Sequence, residues 1–444
     1  MGKQKQSILD FVLIYRVLFL KHFVFSLVIF ISFATENIQA QNNSLLPIAQ
    51  IQFDGQKANN LQYLNDLLHF EKGDNISLVQ LEAALQNLKN SPGISSVSEA
   101  IDTVGERVHI RYNIEERQTI LPVVGFGGIK DNVWYRLGVV DNNWQGKGQT
   151  FLAYYQNNDS RHSGEVYFRN PRYLNGAWGH AFSLSKWSSV EPLFFDEGTV
   201  QYLYDNNSVA GSIIHNFDRR KFLEFGVTYF VENYKQSSEQ FLENPPGPKE
   251  LTEKKWLTKI IYNHNYLNYD YFYLKGYDFN AIFQKVFNTS DKSLFNSLQL
   301  QSRIFIRPSQ KLNIAARFKF GISTNNDSPF APFVVDSHVN IRGIGNRIDR
   351  GTAQLILNTE IRYTLSHVKK WAIQGIAFSD LGSWRNPGGK IGQLFDKSQF
   401  RQFVGIGFRL IYQKVFGATL RVDYGIDVFN TREKGLVVGL GQYF

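Results

Sequence analysis

The sequence contains no cysteine, which excludes several kinds of chemistry at once. The chain can form no disulfide, bind no metal through thiolates, use no thiol nucleophile and carry no lipid anchor on a processed cysteine. The patterns His-Glu-x-x-His and Gly-x-Ser-x-Gly are also absent, and the nine histidines are scattered without ligand spacing. We therefore predict that the protein is not an enzyme, with no catalytic residues, no metal site and no cofactor.

The chain also lacks an apolar run long enough to cross a membrane as a helix. The N-terminal run from Phe23 to Ala34 has twelve residues, whereas a spanning helix needs about 20. Basic residues precede this run, and Ile38-Gln39-Ala40 after it is typical of a cleavage site. We therefore predict that residues 1–40 are a cleaved signal peptide. The alternative is an uncleaved anchor, because the charged lead-in is unusually long.

Aromatic side chains are abundant, although the chain is polar on average. They make up 15% of the residues, while the mean hydropathy is −0.27. Strands that face lipid on one side and a polar lumen on the other produce this combination. A large soluble all-β protein shows the same period of two and is the alternative. The net charge of +9 is spread along the chain, whereas nucleic-acid binding needs a concentrated basic face, so nucleic acid is not a predicted partner.

Residues 47–117 predict a small separate domain in the order strand, helix, helix, strand, strand. Ser77 and Gln80 have the spacing of a capping box at the start of the second helix. Leucines at four following positions share one face of that helix: Leu78, Leu81, Leu85 and Leu88. An open sheet edge in such a domain can accept an extended chain by strand addition. The alternative is an inert spacer.

From residue 119 to residue 444, apolar and polar residues alternate with a period of two, most clearly over Thr352–Leu365. We count about sixteen such segments, an even number, as in bacterial outer-membrane barrels. A soluble sandwich would use the apolar faces as its core, but strands this long suit a tilted membrane crossing. The predicted fold is mainly β: a C-terminal 16-stranded antiparallel transmembrane β-barrel, 119–444, preceded by one small βααββ domain.

The last predicted strand, 433–444, ends in an aromatic residue, which is common in barrels delivered to the outer membrane. Gly435, Gly439 and Gly441 lie along it, and Phe444 closes it. Because glycine weakens a strand, we predict a labile barrel seam between this strand and the first, 119–128. The same glycines could instead relieve crowding where the barrel closes.

Two charged residues 38 positions apart form the candidate site. Arg342 lies in Ile341-Arg342-Gly343-Ile344, within the long connection 323–350, and Asp380 lies in Phe378-Ser379-Asp380-Leu381-Gly382 on a predicted strand. Alternation puts Asp380 on the same face as Phe378 and Gly382, so it should point into the lumen. A guanidinium fork and a carboxylate favour each other strongly when desolvated. We predict that the pair pins the connection inside the barrel; the alternative is two solvated charges.

With these features the chain resembles the outer-membrane assembly-factor family (bacterial surface antigen type), which includes barrel insertases and two-partner secretion transporters. Its small domain is similar to the family's polypeptide-transport-associated (POTRA) module. The family carries Val-Arg-Gly-aromatic in the loop after the eleventh strand, where this chain has residues 341–344. It carries Phe-x-Asp-x-Gly on the thirteenth strand, where this chain has residues 378–382. The likeness covers nearly all of residues 47–444.

The resemblance implies a bacterial outer-membrane protein with its N-terminal domain in the periplasm. The implied function is assembly and insertion of outer-membrane proteins: the domain binds an unfolded client by strand addition, and the seam inserts it without covalent chemistry. The alternative is a polypeptide secretion transporter of the two-partner type. A passive pore is a third reading, which the module and the loop motif disfavour. The implied partners are an unfolded outer-membrane or secreted polypeptide, outer-membrane lipid and, optionally, periplasmic or lipoprotein accessory subunits.

The chain departs from the family pattern in two respects. Ile344 stands where the family has an aromatic residue, so stacking is not expected there. There is one transport-associated module, whereas the main insertase usually has several and secretion transporters usually have two. Residues 41–46 are also too few for the plug helix of those transporters. These departures predict a minimal or specialised member.

Overall fold

Strands account for most of the structured chain. The computed structural model describes residues 46–129, 132–158, 161–173, 176–237, 244–336, 339–344 and 349–444. The predicted signal peptide, 1–40, lies outside these residues and stays a prediction. Leu46–Phe444 forms one compact unit. Within the described residues, no helix has both the length and the apolar character needed to span a membrane.

The first elements follow the predicted order, with a two-residue strand added between the helices. They are β1 (Leu46–Asp54), α1 (Leu61–Leu68), β2 (Asn75–Ile76), α2 (Leu78–Asn90), β3 (Ile94–Val104) and β4 (Arg107–Glu116). The four strands form one sheet in the order β2-β1-β4-β3. β1 runs parallel to β4, and the other neighbouring pairs are antiparallel. β3 is therefore an edge strand.

Local sequence signals explain where the helices begin. The Ser77 side chain accepts a hydrogen bond from the Gln80 backbone N–H, and the Gln80 side chain accepts one from the Ser77 backbone N–H (2.9 Å). The predicted capping box is thus confirmed. Both helices pack on the sheet around a core that includes Leu64, Leu88 and Ile110. Each such side chain contributes roughly 1.5–3 kcal/mol on burial, so this small domain has a core of its own.

The remaining strands build a closed antiparallel barrel. In chain order they are β5 (Ile120–Ile129), β6 (Asn132–Trp144), β7 (Gln149–Asn158), β8 (Arg161–Asn170), β9 (Trp178–Phe195), β10 (Gly198–Asn216), β11 (Lys221–Gln236), β12 (Glu250–Asn265), β13 (Asn268–Asp270), β14 (Tyr273–Asn288), β15 (Leu294–Ile306), β16 (Leu312–Ser323), β17 (Phe333–Val335), β18 (Asp349–Gly351), β19 (Ala353–Val368), β20 (Trp371–Arg385), β21 (Arg401–Tyr412), β22 (Thr419–Asp427) and β23 (Lys434–Leu440). Sixteen of these strands form the barrel wall within the described residues; β13, β17 and β18 are not part of it. The ring closes where β23 lies beside β5.

The alternating pattern predicts a single strand over residues 269–287, and the structure breaks it in two. Asn268–Asp270 forms the short β13, the chain turns at Tyr271 (φ 56°), and β13 pairs back on the start of β14. β12 then pairs directly with the rest of β14. The sequence pattern missed this turn because tyrosine has no special preference for it.

The last predicted strand, 433–444, is too long. β23 ends at Leu440, and the backbone turns at Gly441, whose φ is 85°. Tyr443 and Phe444 beyond it are buried, with 6% and 8% of their surface exposed. Their rings gain contacts with luminal side chains that a position on the wall would not provide.

The two rims of the barrel differ. We call the end at which β5 begins the near rim and the opposite end the far rim. Since wall strands alternate in direction, the three longest connections all lie on the far rim: 237–249, 324–352 and 386–400. The sequence predicts two long connections, 235–253 and 323–350, as outward loops on one rim, and they correspond to the first two. The third contains two short 3-10 helices, Ile391–Phe395 and Lys397–Gln399.

The small domain lies against the near rim. Its polar contacts reach five different turns of the barrel. The pairs are Asn60 with Gly146, Asp66 with Arg219, Asn90 with Tyr269, and Glu115 with both Lys370 and Lys414. Because these turns are distributed around the rim, the contacts hold the domain in one orientation.

Glu115 makes the docking contact pH-dependent. Hydrogen bonds from Lys370 and then Lys414 lower the pKa of the Glu115 carboxyl from 4.5 to about 2. A lowered carboxyl pKa stabilises the folded state above the unfolded pKa, and this stability is lost as pH falls through the folded pKa. We expect Glu115→Gln to lower the free energy of unfolding slightly at pH 7, by about 1 kcal/mol or less, because the site is partly exposed.

The difference between wild type and Glu115→Gln should shrink between pH 4.5 and 2. Thermal unfolding in detergent micelles at stepped pH measures it. Glu106→Gln, in the exposed turn before β4, is the control and should show no such window. A wild-type advantage that persists at pH 2 would contradict the role given to the two lysines.

Candidate functional site

The inner faces of β16 and β19 to β22 line a buried group of charges, here called the luminal charge cluster. Its members are Arg317, Arg342, Arg362, Arg409, Arg421, Glu360, Asp380 and Asp423. All but Arg342 project from wall strands. Arg342 comes from the far-rim connection 324–352, and its side chain has no exposed surface. Charges buried this deeply are costly unless they pair with one another.

The connection 324–352 is fixed to the wall before it reaches Arg342. Arg317 on β16 donates to the carbonyl oxygen of Val339 and, through Nε, to Oδ1 of Asn358 (2.9 Å). The Asn358 amide on β19 donates in turn to the carbonyl oxygen of Asn340 (2.8 Å). These bonds satisfy backbone carbonyls that burial would otherwise leave unpaired. They hold the loop against β16 and β19.

Arg342 binds Asp380 through three hydrogen bonds. The backbone N–H and Nε of Arg342 donate to Oδ2, and Nη2 donates to Oδ1, each at 2.8 Å. The structure therefore brings together the two residues that the sequence pairs, in a bidentate fork with an added main-chain bond. Removing one partner would leave a buried unpaired charge, at a cost of about 3–5 kcal/mol.

Two further wall carboxylates lie beside the same guanidinium. Arg342 Nη1 donates to Oε2 of Glu360 on β19, whose Oε1 accepts from Arg362 Nε (2.7 Å). Asp423 on β22 lies 4.0 Å from Arg342 Nη1 and pairs with Arg409 at 2.7 Å. Carboxylates from β19, β20 and β22 thus surround one loop residue, so the loop is tied to three strands at once.

Aromatic rings cover the guanidinium of Arg342. The ring centroids of Phe378 on β20 and of Tyr443 lie 3.8 Å and 4.3 Å from its Cζ atom. A desolvated cation over an aromatic face gains about 2 kcal/mol. Phe378 belongs to the motif on which the prediction rests, whereas Tyr443 reaches the site only because the chain leaves the wall after β23.

Gly343 lets the loop backbone approach the wall closely. Its φ of 97° favours glycine. Gly425 on β22 and Gly435 on β23 are direct ladder partners beneath it. A Cβ added to Gly425 would lie 2.6 Å from the carbonyl oxygen of Arg342, and one added to Gly435 would lie 2.6 Å from that of Gly343. The two opposed glycines therefore form a seat for the loop.

The isoleucines of the tetrad anchor the loop through apolar contacts. Ile341 and Ile344 pack with Trp384 of β20 and Phe403 of β21 in one buried cluster. The aromatic surface therefore comes from the wall, and Ile344 fills space beside it. Gly382, the last residue of the second motif, lies buried on β20, two positions beyond Asp380 on the same face.

The four residues predicted for the barrel seam do not all lie on β23. Gly435 and Gly439 are on this strand, whereas Gly441 and Phe444 follow it. Gly439 faces Arg421, whose Nε would lie 2.7 Å from an added Cβ. Together with the role of Gly435 in the loop seat, this favours the crowding explanation for two of the three glycines. Gly441 and Phe444 lie beyond the end of β23, so their assignment to the strand is wrong. Phe444 is instead luminal, and its carbonyl oxygen accepts a hydrogen bond from Arg362 (2.9 Å).

Sequence reasoning missed part of the site: Glu360, Arg362, Arg409, Asp423 and Tyr443. The four charged residues occupy inward positions of strands with clear alternation, so the signal was present. The position of each residue along the barrel axis could not be predicted from the sequence, because it depends on the register between strands. One example is the pairing of Asn358 with Asp380. Tyr443 gave no signal, since nothing in the pattern marks the end of the wall at Leu440.

The site holds a loop in place. Among the described residues, no group of His, Asp and Glu could bind a metal ion, and the three carboxylates of the cluster face arginines. Fold and site together define a sixteen-stranded barrel with an arginine-anchored luminal loop and a small domain on one rim.

Three solved structures are similar to the chain in fold. The crystal structure of BamA from Haemophilus ducreyi lacking POTRA domains 1–3 is 14% identical, with a TM-score of 0.52 over 88% of this chain and 83% of that one. CdiB from Acinetobacter baumannii is 14% identical, with a TM-score of 0.54 over 89% and 74%. CdiB from Escherichia coli is 11% identical, with a TM-score of 0.57 over 88% and 75%.

At these identities the likeness is one of fold, and at that level the predicted resemblance is confirmed. No protein-family model matches the sequence. No curated protein matches it either.

The glycine seat can be tested by adding one methyl group. We expect Gly435→Ala to lower the free energy of unfolding by about 1–3 kcal/mol, because the new Cβ overpacks the loop backbone. Urea unfolding in detergent micelles measures the change. Gly211→Ala on β10 is the matched control, since nothing lies within 4 Å of a Cβ added there. Equal stability of the two variants would contradict the seat.

Proposed function

We propose that the protein is an outer-membrane assembly factor that inserts client polypeptides without covalent chemistry. The observation that carries this proposal is the loop held inside the closed barrel by Arg342, Asp380 and Glu360. A loop anchored in the lumen narrows the path that passive diffusion through the barrel would need. The fold shared with BamA and CdiB and the resemblance of the two motifs to a family of insertases and transporters support the same class.

The outward faces of the wall strands support a place in a bilayer. Large apolar side chains are more than half exposed there, among them Leu137, Ile213, Ile361, Ile406 and Leu436. In water each would forgo the roughly 1.5–3 kcal/mol that burial provides, and soluble proteins rarely expose continuous apolar surface of this kind. The proposed location is the bacterial outer membrane, with the small domain, residues 47–117, in the periplasm.

The free edge of β3 is the proposed client site. Ile101 and Val104 near its end are 40% and 66% exposed. An edge strand presents unpaired N–H and C=O groups, which an extended client can pair with whatever its sequence. The client would be an unfolded outer-membrane polypeptide.

The proposed exit into the membrane is the junction of β23 and β5, where the ring closes. β23 has seven residues and is the shortest wall strand in the described part of the chain. A short strand offers few backbone hydrogen bonds to its neighbour, so separating this pair exposes few unpaired groups. Opening here would present an edge to the client within the bilayer.

A secretion transporter of the two-partner type is the second candidate, favoured by the likeness to CdiB. Such a transporter must pass a chain through its lumen, where this protein holds the Arg342 loop, Tyr443 and Phe444. A co-encoded exoprotein secreted only when this protein is present would favour the transporter.

Reconstitution tests the assembly function and the loop anchor together. Purified protein in liposomes should accelerate the folding of a client barrel. Arg342→Ala and Asp380→Ala should each slow that folding about tenfold or more, because either one leaves a buried charge unpaired. The double variant should be little worse than the singles, since coupled residues are not additive.

Arg303 and Asp278 provide the matched control. They form a wall-to-wall bidentate pair at 2.9 and 2.7 Å on β15 and β14, and the bonds of this pair do not involve the described residues of the loop. Their alanine variants should retain client folding. Wild-type protein that never accelerates folding would remove the basis of the proposal, and fully additive losses would show that Arg342 and Asp380 do not act as partners.

Proline at adjacent positions of β3 tests strand addition. Backbone N–H groups of an edge strand point alternately to its neighbour and to the open edge, so Ala100→Pro and Ile101→Pro remove different bonds. The variant that loses an N–H pointing to β4 should destabilise the pairing of β3 with β4. The variant that loses an N–H pointing to the open edge should leave the domain folded and abolish client crosslinking. Circular dichroism separates folding from capture. Unimpaired client crosslinking in the folded variant would contradict the β3 site.

A further inference from the structure

The connection between β12 and β14 is an inserted hairpin with no counterpart among the other near-rim turns of the described chain. We call residues 266–275 the rim hairpin; it contains β13 and the start of β14. Leu267 and Tyr273 in it are buried, with 4% and 7% of their surface exposed. A turn that only connected two wall strands would not need buried residues, so the hairpin packs on something.

On its luminal side the rim hairpin is bonded to wall strands distant from its own. The Asn313 side chain at the start of β16 binds both backbone groups of Leu274: Nδ2 donates to its carbonyl oxygen (2.8 Å), and Oδ1 accepts from its N–H (3.3 Å). The Tyr273 hydroxyl donates to Thr364 on β19 (2.8 Å). The hairpin therefore lies under the sector of the lumen between β14 and β19.

Above the hairpin, its apolar side chains meet the residues that left the wall after β23. Leu267 belongs to one buried cluster with Phe305, Tyr443 and Phe444, and Leu274 packs against it. Tyr443 in turn lies over Arg342. The hairpin and the far-rim loop thus meet through two aromatic residues, and together they occupy the lumen from opposite ends.

On the side that faces the small domain, the same hairpin is held by α2. The Asn90 side chain donates to the carbonyl oxygen of Leu267 (3.3 Å) and accepts from the backbone N–H of Tyr269 (3.0 Å). Gln86, one turn earlier on α2, donates to the carbonyl oxygen of Tyr269 (3.2 Å). These bonds reach only backbone groups of the hairpin, so they hold it in position whatever its side chains.

We propose that the rim hairpin is a built-in stopper for the near end of the lumen, kept closed by Gln86 and Asn90 and released when the small domain moves. The stopper takes the place of a separate plug: it seals the lumen at rest, and client capture by the small domain loosens it. Its purpose in client handling rests on the proposed assembly function, but the seal itself is a property of the barrel.

Conductance across planar bilayers measures the seal directly. Gln86→Ala combined with Asn90→Ala removes three hydrogen bonds to the hairpin, so we expect the open fraction of single channels to rise roughly tenfold. Glu82→Gln, an exposed position on the same helix, is the matched control and should leave conductance unchanged. Heat-modified mobility in gels confirms that each variant barrel is folded.

A reversible lock provides the opposite perturbation. Lys89 at the end of α2 and Tyr271 of the hairpin line one small cavity together with the start of β3, and the chain has no native cysteine to interfere. Lys89→Cys with Tyr271→Cys, joined by a short thiol crosslinker cleavable by reductant, should keep channels closed until reductant is added. Each single cysteine variant controls for the label.

Equal conductance in the wild type, the released variant and the locked variant would overturn the stopper. Release that raises conductance, together with a lock that suppresses it, supports the stopper. If those changes occur while no form accelerates client folding, the stopper stands and the assembly function fails, so the two proposals are separable.

Discussion

Burial of the Arg342 guanidinium is the constraint on which the arrangement of the lumen depends. A cation without solvent exposure needs anions in fixed places, and Glu360, Asp380 and Asp423 provide them from three wall strands. Their positions follow from the register of the ladders. A slip of one residue would turn every inward side chain outward, so the loop and the barrel register depend on each other.

The shape of the wall follows from the same constraint. To bring a cation on a loop within reach of wall carboxylates, the loop backbone must lie almost against the strands. Gly425 and Gly435 leave that space, and Gly343 adopts the left-handed conformation that the approach requires. Gly435, which the sequence suggests weakens the last strand, is therefore a position where the wall contacts the loop backbone.

Segments of the chain fill the lumen from both ends of the barrel. The far-rim loop brings Arg342 into the lumen, the chain after β23 brings Tyr443 and Phe444, and the rim hairpin packs against these two residues from the near end. Each part contacts the next: the small domain contacts the rim hairpin, the hairpin contacts Tyr443, and Tyr443 contacts Arg342 in the luminal charge cluster. If the proposed function holds, a client bound by the small domain would act first on the part of the lumen nearest to it.

Much of this protein could be predicted from its sequence, because the relevant signals are local. Alternation with a period of two defines the wall strands and turns Asp380 inward, and the spacing of Ser77 and Gln80 starts α2. Contacts among Arg342, Glu360 and Asp423, and the departure of the chain from the wall after Leu440, depend on which strands the closed barrel brings to one level. By itself the sequence determined the strands, their inward faces and the loop that carries the arginine. Only the tertiary structure decided what meets in the lumen, because those distances are set by ring closure and register between strands far apart in the chain.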